Sequence, residues 1–191
     1  RLSMLRLFLF ASFVGFALAE EWDCTSANPE TSGTFNCTSD CTMTSAGVQL
    51  SGDLSITGRP ELTTITAKTS GSRRHFFVNS GDSHTLTLKW LNLTGGSMSG
   101  SYPNDRGGSI YVKDTGSTLH ATSCVFFLNT ATYGGGVFNN EGSTVVHDDS
   151  IIAENRAGRQ GGGIWQQYGS VTITRSLIRD NRQTTSGGIA S

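Results

Sequence analysis

Gly107-Gly108-Ser109-Ile110, Gly134-Gly135-Gly136-Val137, Gly161-Gly162-Gly163-Ile164 and Ser186-Gly187-Gly188-Ile189 are four versions of one phrase. Their apolar residues Ile110, Val137, Ile164 and Ile189 stand 27, 27 and 25 residues apart. A second phrase falls between them: Phe126-Phe127-Leu128-Asn129, Ile152-Ala153-Glu154-Asn155 and Ile178-Arg179-Asp180-Asn181, with the asparagines 26 residues apart. Two unrelated markers that keep nearly one period define an internal repeat. Within each unit the apolar residues alternate, as in Val171-Thr172-Ile173-Thr174 and Ile110-Tyr111-Val112, which is the period of a strand and not of a helix.

Offsetting the chain by one period produces columns of like residues. One holds Leu119, Val145 and Val171; others hold Cys124, Ser150 and Ser176, then Phe126, Ile152 and Ile178, then Asn129, Asn155 and Asn181. In a solenoid each residue meets its counterpart one coil away, about 4.8 Å distant, so like side chains stack. Asparagines in register form an amide ladder, each donating to one neighbour and accepting from the other. The fold expected is all-β: a right-handed parallel β-helix of roughly five to seven coils. Upstream the rhythm continues through Leu86, Leu88, Leu91, Leu93 and Gly96, and more loosely through Val48-Gln49-Leu50, Leu54-Ser55-Ile56-Thr57, Thr64-Ile65-Thr66 and Phe76-Phe77-Val78. Residues 97–106, rich in Ser, Gly and Asn with Pro103, interrupt it as a surface loop.

The pair of phrases resembles the repeats of the polymorphic outer-membrane protein family, and the rhythm from Leu54 to Asn181 is similar to the pectate-lyase-like β-helix superfamily. The resemblance covers roughly residues 48–191. The first group implies cell-surface adhesion, the second polysaccharide cleavage. The residue sets expected of pectin-cleaving hydrolases, an Asn-Thr-Asp, an Asp-Asp followed by Gly-His-Gly and an Arg-Ile-Lys, do not occur together here.

Toward the N-terminus, Arg1 and Arg6 precede an apolar run from Leu7 to Ala19 that ends in Ala17-Leu18-Ala19, which reads as a signal peptide over residues 1–19. About 13 apolar residues fall short of the roughly 20 that a spanning helix needs, so no membrane span is expected in this chain. Residues 20–47 carry Cys24, Cys37 and Cys41 and read as a disulfide-stapled cap, with the β-helix proper over 48–191. Of three clustered cysteines one is left over, its partner being either Cys124 or a residue outside the chain. The start at Arg1 and the stop at Ser191, two residues past Ile189, read as those of a fragment truncated at the C-terminus.

Composition narrows the function classes. Lys plus Arg is 14 and Asp plus Glu is 15, for a net charge of −1, and no basic stripe runs along the sequence, so nucleic acid is not an expected partner. Neither a metal nor a cofactor is expected. Asn36-Cys37-Thr38 and Asn92-Leu93-Thr94 are glycosylation sequons, Asn36 being the better placed because Asn92 falls inside a strand. Glu154 and Asp180 share a column and are the one carboxylate pair at a plausible spacing for glycoside chemistry, weighed against a plain role as solvated turn residues. Tyr111, Phe138 and Trp165, 27 residues apart, alternate with inward aliphatics and should form an outward aromatic stripe, either a sheet-stabilising ladder or a platform for glycan or a partner protein. The leading expectation is a secreted or cell-surface protein with a structural or adhesive role and no catalysis. The alternatives are a polysaccharide-active lyase or glycoside hydrolase and a glycan-binding module.

Overall fold

The computed structural model describes residues 19–24, 32–67, 70–78, 83–141 and 144–184, without the side chains of 144–147. The expected signal peptide, apart from Ala19, and the fourth glycine phrase at 186–189 lie outside these residues.

Among the described residues the chain is all strand, turn and bend, and its strands form four sheets in which the ladders are parallel. A circuit visits the sheets in turn. Thr118–Thr122 lies in a seven-stranded sheet, Val125–Phe127 in a six-stranded sheet, Thr130–Tyr133 in a three-stranded sheet and Val137–Asn139 in a five-stranded sheet, after which Thr144–Asp148 returns to the first. Each strand pairs with its counterpart one circuit away, Leu119 with Leu86 and Val145, Phe126 with Leu93 and Ile152, Ile110 with Phe76 and Val137. This is a parallel β-helix, and the columns seen in the sequence are its stacks. No helix long and apolar enough to cross a membrane occurs among the described residues.

Alternation drives the interior. In Leu54–Thr57 and Thr85–Lys89 every second residue is buried, and Leu54, Ile56, Leu86, Leu88, Leu119 and Ala121 run down one wall of a shared core. Burial of one such aliphatic is worth roughly 1.5–3 kcal/mol. The described residues of segment 20–47 join this core: Glu20–Glu21, Gly33–Asn36 and Cys41–Thr42 pair into the sheets, and Trp22, Phe35 and Met43 are buried with the rest.

The polar columns are built as expected. Asn129 Nδ2 donates to Asn155 Oδ1 and Asn155 Nδ2 to Asn181 Oδ1, both at 3.0 Å. Each Oδ1 also accepts the backbone N–H of the asparagine one coil back, at 3.0 Å, and the second amide proton goes to Leu93 O, Phe126 O or Ile152 O. A buried amide costs free energy unless its groups are partnered, and here the repeat itself supplies the partners. A second ladder runs through Cys124, Ser150 and Ser176: Ser176 Oγ accepts from Ser150 N and Ser150 Oγ from Cys124 N, at 3.0 and 3.1 Å.

Left-handed turns stack in columns from coil to coil, and glycine fills one of these columns. Gly107, Gly134 and Gly161 have φ of 60 to 65°, and a Cβ on Gly134 would strike Val137 O. Leu62, Trp90, Ser123, Asp149 and Arg175 make the second column, and Gly95, Leu128, Glu154 and Asp180 the third, all with φ between 44 and 76°.

Candidate functional site

The five-stranded sheet presents Gln49, Phe77, Tyr111, Phe138 and Trp165 in one row, each paired across the strand ladder with the next. Their neighbours Ile110, Val112 and Val137 point into the core, so the row lies on the outer face. Phe77 stacks on Tyr111 with centroids 5.0 Å apart and planes 24° off parallel, and Tyr111 meets Phe138 edge-on at 5.0 Å.

The expected stripe is therefore aligned, but Tyr111 and Phe138 are fully buried instead of exposed. The reason is the loop at 97–106. Ser97 and Arg73 exchange backbone hydrogen bonds at 2.6 and 2.7 Å, which folds the loop back over the row. Arg106 then lays its guanidinium over Tyr102, Tyr133 and Phe138, with its carbon 4.5, 5.5 and 4.9 Å from the ring centroids, and Nη1 reaches Gln167 Oε1 at 3.4 Å. Arg74 covers Phe77 at 4.8 Å and Tyr111 at 5.2 Å. Cations on ring faces remove the apolar surface that an exposed row would leave. Trp165 is half-buried, and Tyr168 beyond it is 60% exposed.

At the other end the row opens into a cleft of about 430 Å³, walled by Gln49, Arg73, Arg74, Phe77, Met98 and Asn104. Arg74 is 5% exposed, and burial lowers its pKa to about 10, against the favourable fields of Tyr111 and Asp105. Its Nη2 donates to Pro103 O at 2.8 Å. These arginines were missed from sequence because the 97–106 loop breaks the period and separates Phe77 from its column; realigning Phe77 with Tyr111 across the loop would have exposed them.

Glu154 and Asp180 both sit in the third left-handed turn column. Arg179 lies between them, Nη1 at 4.0 Å from Glu154 Oε1 and 2.6 Å from Asp180 Oδ2, and all three side chains are about half exposed. A similar cluster joins Arg175 to Asp148 and Asp149 at 2.7 and 2.9 Å. Ion pairs this wet are worth about 0–1 kcal/mol. Neither cluster lies on the cleft wall.

Cys24 and Cys41 form a disulfide, while Cys37 and Cys124 are buried free thiols, so the leftover cysteine is Cys37 and it does not pair with Cys124. Cys37 Sγ stands 3.9 Å from Cys41 Sγ, and the three sulfurs of the cluster lie within 4.8 Å of one another. Burial, aided by Glu21 and Asp40, raises the Cys37 thiol to about 11; burial alone does the same for Cys124, whose thiol also donates to Thr122 O at 3.4 Å. Both are protonated at neutral pH and poor nucleophiles. Asn36 is half-buried at a strand end, with Thr38 of its sequon held by Glu21 through bonds of 2.8 and 2.6 Å. Asn92 is half-buried within Leu91–Thr94, its Nδ2 3.4 Å from Thr64 Oγ1.

His75 is fully buried, with Nε2 3.1 Å from Ile65 O and Nδ1 3.1 Å from Ser109 Oγ. That pairing fixes the tautomer that donates from Nε2 and accepts at Nδ1, and burial lowers its pKa to about 4.

No family model, no curated protein and no solved structure matches the chain.

Proposed function

We propose that this chain is a secreted or cell-surface β-solenoid that binds a glycan through the outer face of its five-stranded sheet, without catalysis. The observation that carries the reading is the rigid aromatic row ending in an open cleft, where the half-buried Phe77 and the Gln49 and Asn104 amides offer a saccharide an apolar edge to lie against and groups to hold its hydroxyls. The resemblance of the repeats to the polymorphic outer-membrane protein family supports display at the cell surface. The acidic residues that a glycosidase would need are engaged with Arg179 on an exposed turn, which favours binding over cleavage.

The test is titration of the chain with panels of neutral and charged oligosaccharides, followed by calorimetry. Phe77→Ala should weaken binding at least tenfold while leaving the melting temperature within a few degrees. Appearance of new reducing ends or unsaturated uronides, lost in Glu154→Gln, would replace this reading with a polysaccharide-active enzyme. Binding of a protein ligand alone, with no saccharide bound, would replace it with a protein-recognition surface.

A further inference from the structure

Charge in the cleft is out of balance. The face that carries it holds three guanidinium groups, Arg73, Arg74 and Arg106, against the carboxylate of Asp105, and Asp105 already stands 3.5 Å from Arg106 Nε. Arg74 Nη1 and Arg73 Nε are both buried without a hydrogen-bond partner. A buried guanidinium N–H without an acceptor lowers stability even where the rest of the group is bonded. Such a group persists where something outside the chain completes it. Arg74 is also held in place, laid over the stacked Phe77 and Tyr111 rings and tied to Pro103 O, so its fork is set before any ligand arrives. Arg73 is tied by Nη1 to Ser72 O at 3.0 Å, which fixes a second fork on the same wall.

We infer that this cleft is an oxyanion site, in which Arg73 and Arg74 take a carboxylate or sulfate-ester group of a saccharide whose sugar ring lies against Phe77. A planar guanidinium matches the paired oxygens of either group through two parallel hydrogen bonds, which an ammonium does not. The inference rests on the glycan reading above and adds the charge class of the ligand.

The experiment measures binding of four probes to the chain at low and at 0.5 M salt: an oligogalacturonide, a sulfated oligosaccharide, a neutral oligosaccharide of the same length, and inorganic sulfate. One or both anionic saccharides should bind at least tenfold more tightly than the neutral one, with the preference falling as salt rises, and the better of the two names the group. Arg73→Gln should abolish the preference with an unchanged melting temperature. Arg74→Lys keeps the charge but loses the fork, and should cut anionic binding by about tenfold; it serves as the second probe because Arg74→Gln risks the fold. Equal binding of neutral and anionic saccharides overturns the oxyanion site and leaves the glycan reading standing. Binding of inorganic sulfate, lost in Arg73→Gln and with no saccharide bound, upholds the oxyanion site and removes the glycan reading. Silence from all four probes removes both.

Discussion

Ile152 and Ile178 are the same residue in the same column, one coil apart, paired directly across the six-stranded sheet. Ile152 is completely buried and Ile178 is 47% exposed. Nothing in either residue's own strand accounts for this: Ile152 is paired on both sides, with Phe126 and Ile178, and Ile178, among the described residues, is paired with Ile152 alone. In a solenoid, burial belongs to the neighbour as much as to the residue, and stability is a sum over adjacent pairs.

The largest test of that comparison is Asn155→Ala. It strips the acceptor of Asn129 N–H and Nδ2, and the donor to Phe126 O, leaving several buried groups without partners at roughly 1–3 kcal/mol each. Urea unfolding should show a loss of about 4 kcal/mol, and a loss under 1 would mean that the ladder is ornamental. Next comes the isoleucine pair itself. Ile152→Ala should cost about 3 kcal/mol and Ile178→Ala about 1 or less, and equal costs would break the nearest-neighbour account.

His75 sharpens the comparison from the most enclosed part of the chain. Its folded pKa, about 4, lies below the ordinary value of 6.5, so the folded state refuses a proton that the unfolded state accepts. The contribution of the neutral imidazole is complete above pH 6.5 and is lost progressively as pH falls toward 4. Between pH 7 and pH 5 that amounts to about 2 kcal/mol. His75→Gln should flatten this part of the stability profile, and an unchanged pH slope would show that His75 is not its source. The smallest effect is a gain. Leu128 is 51% exposed with φ of 54°, a conformation that a side chain disfavours, so Leu128→Gly should stabilise by about 0.5 kcal/mol. A loss of stability there would show that the leucine packs usefully despite its exposure.

What was legible in the sequence follows from what repeats. Asn129, Asn155 and Asn181 recur because each needs the others, and Cys124 could be read as a stand-in for serine because Ser150 and Ser176 hold the other rungs. One left-handed column was not legible: Trp90, Ser123, Asp149 and Arg175 share a backbone angle but no side-chain chemistry, so no pattern marks them. The covering of Tyr111 and Phe138 was not legible either. It depends on residues 97–106 reaching coils before and after them, and the alternation that orients a ring outward carries no information about what lies on top of it. The cleft shares that fate, since its arginines act through contacts with the same loop.

The grip of Arg106 has a mechanical consequence. It touches Tyr133 and Phe138 and holds Gln167, one circuit further along, so it straps coils together across the stacking direction. Pulled along its axis, a plain stack of coils unzips one at a time at low force. Here the strapped coils should resist as a block and release together in a single step.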